Sequence, residues 1–148
     1  MTGGKVRICA RDRRKLFVPM YPAGASRPAI DKQREDIMAH ENFQECIDAC
    51  DACAVACDHC ATACLGEDDV KMMARCIALD MDCAQICRLA SALMARGSEF
   101  AGALCRLCAD VCQACGDECA KHEADHCREC AAACRRCAEV CRKMAAAA

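Results

Sequence analysis

The stretch CIDACDACAVACDHCATAC, residues 46–64, decides how the rest of the chain is read. Its cysteines stand at 46, 50, 53, 57, 60 and 64, so the intervals alternate four, three, four, three, four. That is the period of one face of an α-helix, about 3.6 residues per turn. It sets Cys46, Cys50, Cys53, Cys57, Cys60 and Cys64 in a single stripe down about five turns. One isolated C-x-x-C says little. An unbroken ladder is specific, and this one recurs downstream.

Cys105, Cys108, Cys112, Cys115 and Cys119 repeat the spacing, with His122 next in register. Cys127, Cys130, Cys134, Cys137 and Cys141 repeat it again, and Met144 continues the stripe. Between these lies a sparser ladder, Cys76, Cys83 and Cys87, whose register is filled by Met73, Asp80, Ala90 and Met94. Met72, Leu79, Ile86 and Leu93 form a second apolar line on its flank, seven residues apart. That line either widens the core face or buries against another subunit, and an interface is the preferred reading.

Turn signals divide the ladders into helices expected at about 31–65, 68–96, 99–121 and 125–145. Asp31 stands as an N-cap after Pro28, and Gly66 as the C′ residue of the first helix. Glu67, Asp68 and Asp69 place negative charge at the next N-terminus, where the helix dipole favours it. Gly97 and Ser98 separate the second and third helices, with Ser98 as a cap, and Asp125 is the candidate N-cap of the fourth. The expected fold is all-α: an antiparallel up-down-up-down four-helix bundle at residues 31–148, with a cysteine-lined core and an irregular N-terminal arm.

Composition agrees with such a core. The 148 residues hold 20 cysteines and eight methionines, with no Trp and only 3% aromatic residues. Leu, Ile and Phe are too sparse to fill an interior, so cysteine must do so, as a neutral thiol can. A net charge of −2 gives no general attraction to nucleic acid. No stretch is long enough to cross a membrane. Residues 1–30 differ in texture: seven basic side chains face Asp12 alone, and Pro19, Pro22 and Pro28 all fall there. They read as a flexible arm. Arg13-Arg14 before Leu16-Phe17-Val18 has the outline of a twin-arginine export signal in residues 1–25, but its apolar part is short and interrupted by prolines. Cys9 lies in this arm, outside every ladder.

Three chemistries compete for a thiol-lined tube. Disulfide staples require a few well-placed pairs, not stacked neighbours at i, i+3 and i+4 that invite mispairing. Zinc and iron–sulfur clusters take four thiolates, and a Zn²⁺ so held leaves a net charge of about −2 at every buried site. Copper(I) is soft and is selected by thiolates. Each Cu⁺ that displaces one thiol proton leaves the interior charge unchanged, so a tube can accept many ions. Storage of multiple Cu(I) ions is therefore the first reading. A zinc or other soft-metal thiolate buffer, a redox sink and a disulfide-stabilised structural protein remain as alternatives.

Residues about 40–145, with Cys-x-x-x-Cys-x-x-Cys ladders on the long helices and histidine at the third-to-fourth helix junction, resemble the bacterial four-helix-bundle copper storage proteins. The resemblance implies that the 19 ladder cysteines are Cu(I) ligands. It also implies a homo-oligomer, usually a tetramer, of either a cytosolic or an exported type. It covers neither the basic arm nor Cys9, and Asp80 departs from an all-cysteine stripe.

An uptake route follows from the topology. One mouth of the bundle gathers Cys64, Cys119, Cys127, His122, His126, Met72 and Met73, whose thioether and imidazole groups exchange Cu(I) more readily than thiolate. The competing reading makes His122 and His126 ordinary helix-end residues, and makes Met73, Met94 and Met144 flexible core filler. The other mouth collects Phe43, Met94, Phe100, Leu104 and Met144 as an apolar plug. His40 and His59 read as solvated, and Asp80 as a rim residue. Ser26, Ser91 and Ser98 stand in no nucleophile motif, and no phosphate loop, H-E-x-x-H or haem site occurs, so an enzyme is not expected. The expected partners are copper ions and a copper chaperone or small thiol carrier, with neither nucleic acid nor membrane. Abundant unpaired thiols favour a reducing cytoplasm.

Overall fold

The computed structural model describes the backbone of residues 27–147 and the side chains of residues 43–146. The expectations for the basic arm before Arg27, including the export signal and Cys9, lie outside the described residues, as does the side chain of His40. Four helices follow one another: α1 (Arg27–Cys64), α2 (Val70–Ala95), α3 (Ala101–Cys119) and α4 (Asp125–Ala147). α1 packs on α2, α2 on α3, α3 on α4 and α4 back on α1, while the backbones of the diagonal pairs stay apart. The ladders run antiparallel around this ring. Cys46 at the start of its ladder lies 3.6 Å from Cys141 at the end of another, and Cys64 lies 3.9 Å from Cys127. Cys76 meets Cys119 at 3.4 Å and Cys87 meets Cys108 at 3.6 Å. This is the up-down-up-down bundle that the repeated ladders imply.

The helix ends show which local signals act. α2 closes in a Schellman turn: Gly97 takes φ +62°, its N–H reaches the Met94 carbonyl at 2.9 Å, and the Ser98 N–H reaches that of Leu93 at 3.0 Å. Gly66, expected in the same role for α1, does not take a positive φ. Its N–H instead bonds the Ala63 carbonyl at 2.9 Å, a tight last turn that needs no left-handed residue. α1 also begins at Arg27, so Asp31 lies inside the helix and is not its cap. Pro28 is tolerated there because first-turn N–H groups have no intrahelical partner to lose. Asp69 caps α2, its carboxylate accepting from the Met72 N–H at 3.3 Å. The Ser98 hydroxyl accepts from the Phe100 N–H at 3.3 Å in the turn that leads into α3. Asp125 is the first residue of α4 rather than its cap, and its carboxylate pairs with Arg128.

The interior is sulfur and alanine. Every ladder cysteine is buried, together with Ala49, Ala54, Ala84, Ala90, Ala109, Ala131 and Ala138. Small side chains let the helices come close. At Gly116 the approach is tightest, since a Cβ there would stand 3.1 Å from the Cys134 Cβ. Leu79, Ile86 and Leu93 of the flanking line pack partly against this core, whereas Met72 is 68% exposed. At the far mouth Phe43, Leu104 and Met144 are partly buried and Met94 is fully buried. Phe100, expected in that plug, is 64% exposed: it sits in the turn before α3, on the solvent side.

Candidate metal centre

The ladders deliver 19 cysteines to the interior, all buried and none in a disulfide. Sulfurs from different helices approach to 3.4–4.0 Å, well beyond the ~2.05 Å of a disulfide bond. Four-sulfur groups whose Sγ atoms lie within 4.8 Å of one another recur along the axis. They include Cys50, Cys108, Cys137 and Cys141; Cys53, Cys87, Cys112 and Cys137; Cys53, Cys57, Cys83 and Cys134; and Cys57, Cys115, Cys130 and Cys134. At the histidine mouth, Cys60, Cys64, Cys76 and Cys127 form another.

Spacing alone does not choose the metal. A tetrahedral Zn–S distance of about 2.3 Å puts sulfurs some 3.8 Å apart, which these groups also match. Sharing does choose. Cys53, Cys57, Cys134 and Cys137 each belong to two of the groups, so the first four groups form one continuous network rather than separate closed sites. A Zn²⁺ with four thiolates of its own leaves a net charge of about −2 in a dry core, and sharing thiolates between zinc ions lessens that charge without cancelling it unless two thiolates serve each ion. A monovalent ion that accepts bridging thiolates can occupy the whole column. At the mouth, burial pushes Cys64 up to about 11 and Cys127 up to about 12, so these two thiols hold their protons in the absence of metal.

Among the described residues, Asp80 is the one acid inside the column. It was expected at the rim, yet it is 0% exposed. Oδ1 accepts hydrogen bonds from the thiols of Cys115 at 3.0 Å, Cys130 at 3.3 Å and Cys119 at 3.4 Å. Oδ2 accepts from Cys76 at 3.6 Å. Burial pushes its carboxyl up to about 8, so it is largely neutral at pH 7. Its place on the α2 ladder register is what carries it inward, because α2 buries every fourth or third residue of that line.

The histidine mouth is built from α1, α4 and the turn between α1 and α2. The His126 Nδ1 lies 3.4 Å from the Sγ of Cys127, 3.6 Å from that of Cys60 and 3.9 Å from that of Cys64. Its Nε2 meets Glu67 Oε1 at 2.9 Å. The Nε2 of His122 is buried without a hydrogen-bond partner. Glu118 ties α2 to the end of α3, accepting from Arg75 at 3.0 Å and Lys121 at 2.7 Å. Met73 packs partly into the core, while Met72 faces solvent. At the opposite mouth the Cys105 thiol donates to the Met94 Sδ at 3.7 Å. Glu67 escaped the sequence reading as a site residue, because 59 residues separate it from His126 and it belongs to no ladder.

Known proteins share this arrangement. The model of the family described as "Csp: Copper storage protein" matches residues 39–146. The uncharacterized cysteine-rich protein YhjQ of Bacillus subtilis is 52% identical over 72 residues, covering 48% of this chain and 67% of its own. The Cu(I)-bound copper storage protein BsCsp3 is 51% identical with a TM-score of 0.68, covering 70% of this chain and 98% of its own. A cytosolic copper storage protein from Streptomyces lividans, solved with five coppers, is 43% identical with a TM-score of 0.70; the match covers 74% of this chain and 96% of that one. With a family match over most of its length and sulfur ladders that fill its core, the chain belongs to the copper storage protein family.

Proposed function

We propose that this protein takes up multiple Cu(I) ions and holds them inside its helical bundle as thiolate complexes, buffering or storing copper rather than transforming a substrate. The observation that carries the reading is the sharing of sulfurs between adjacent four-thiol groups, which suits bridging monovalent ions along a column. The ligands are the 19 ladder cysteines, Cys46 through Cys141. His126, with three thiols around its Nδ1, and His122, with its unpartnered Nε2, are the groups that pass ions inward at the mouth. Met73 is suitably placed to assist, and the outward Met72 is available to an incoming copper carrier.

Two finer statements belong to the same proposal. The protein works in the cytosol, supported by the Streptomyces relative described as cytosolic and by a core of reduced thiols. It also assembles with copies of itself, supported by exposed Val55, Met81, Leu89 and Leu107 on a surface otherwise rich in charge.

Anaerobic titration of the reduced protein with Cu(I), followed by native mass analysis, tests the storage reading. A capacity near the number of ladder cysteines is expected. Saturation at about one quarter of that number, with zinc preferred over copper, would favour a tetrathiolate buffer instead.

A further inference from the structure

The α1–α2 turn contributes a residue to the mouth that the ladders do not predict. Glu67 is 39% exposed, while the His126 side chain it meets is 14% exposed, so the carboxylate lies at the surface and the ring reaches inward. The two ring nitrogens therefore have different surroundings. Nε2 faces Glu67 Oε1 at 2.9 Å, and Nδ1 faces Cys127, Cys60 and Cys64 at 3.4, 3.6 and 3.9 Å.

An ionised carboxylate only accepts hydrogen bonds, and a neutral imidazole carries one proton on one of its two nitrogens. With Glu67 as acceptor, that proton resides on Nε2. The Nδ1 lone pair is then free and points at three sulfurs. Without Glu67 the surrounding thiols supply only a weak competition for the ring proton, and the tautomer with Nδ1–H becomes available. In that tautomer the inward nitrogen has no lone pair to offer an ion.

We infer that Glu67 is a positioning residue for copper uptake: it fixes the tautomer and orientation of His126 so that Nδ1 can take a Cu(I) ion at the mouth and pass it to Cys60, Cys64 and Cys127. The role rests on the proposed storage function but concerns the rate of uptake, not the capacity of the core. The step is a ligand exchange. The ion leaves its carrier for the Nδ1 lone pair, then moves to a sulfur as that thiol releases its proton to solvent. No electron is transferred. Carboxylate partners on the far nitrogen of metal-binding histidines orient the ring in this way, and losing them costs roughly tenfold or more in metal affinity or activity.

The test uses the full reduced chain under anaerobic conditions. Nitrogen-15 spectra of the histidine rings read the tautomer directly in the apo-protein, and stopped-flow mixing with a weakly complexed Cu(I) salt reads uptake. In the wild type His126 is expected as a single Nε2–H tautomer, and in Glu67→Ala as a mixture. Early uptake in Glu67→Ala is expected to slow roughly tenfold, with the final copper capacity unchanged and Glu67→Asp restoring much of the rate. In a His126→Ala background, removing Glu67 is expected to have no further effect. An unchanged tautomer in Glu67→Ala, or an equal slowing with and without His126, would overturn the assignment. A wild type that binds no Cu(I) would instead overturn the storage reading, while the ring spectra would still report the Glu67–His126 bond.

Discussion

At Asp80 a carboxyl group lies among thiols where water does not reach, and its ionisation therefore couples to folding. Burial raises it to about 8 in the folded protein from an ordinary value of 3.8. Below pH 3.8 both states are protonated and the folded state bears no penalty. As pH climbs, the unfolded chain ionises first, so stability falls steadily until the folded group also titrates near pH 8. Urea unfolding of the reduced apo-protein should show a loss of a few kcal/mol between pH 5 and pH 8, and Asp80→Asn should remove most of that slope. A wild-type profile as flat as that of the variant would show that Asp80 is solvated. Sulfur has its own residue-level prediction. Cys57 belongs to two four-sulfur groups, so Cys57→Ala should lower Cu(I) capacity by about one ion in native mass spectra, as one ion per thiolate requires, while weakening binding in both groups. The cysteines were readable from their spacing alone. Asp80 was readable as to register but not burial, because a lone carboxylate is seldom fully buried. Glu67 left no trace, since its link to His126 exists only once α1 and α4 have met.

The helices owe their ends to a few local devices, and two glycines separate backbone effects from packing effects. Gly97 takes φ +62° with open space where a side chain would go. Gly97→Ala should cost about 1 kcal/mol through conformation alone and leave copper capacity intact. Gly116 has ordinary helical geometry but lies against α4, where an added Cβ would stand 3.1 Å from the Cys134 Cβ and 3.4 Å from the Ala131 carbonyl. Alanine gains about 1 kcal/mol of helix propensity there. The neighbour on the other side is main chain and a short side chain, so the helices must part to admit it. Gly116→Ala should therefore lower the thermal midpoint and disturb copper binding around Cys134, which capacity measurements on the two variants would distinguish. Helix order and the four ladders were legible because a period repeated over many residues outweighs local noise. Boundaries were less so. α1 begins at Arg27 because proline is harmless in a first turn, and Gly66 is not left-handed because a tight last turn already satisfies the Ala63 carbonyl.

Across the whole molecule, the packing that would ordinarily fall to leucine and phenylalanine is done by groups that are also the proposed ligands. A neutral thiol is apolar enough to fill a core, and it becomes a soft anion when a metal takes the place of its proton. One set of side chains can thus hold the bundle together when empty and hold copper when loaded, provided the exchange leaves the interior charge unchanged. Asp80 is the exception that proves measurable, since its neutral form at pH 7 keeps the empty core free of charge. The most direct test is the number of protons released per ion bound, followed by pH-stat titration of the reduced apo-protein with Cu(I) under anaerobic conditions at pH 7. About one proton per Cu(I) from the first ions to near saturation is the predicted result, because each buried thiol gives up one proton to one ion. Release of two or more protons per ion throughout the titration would contradict it, because the core would then be filling with uncompensated negative charge.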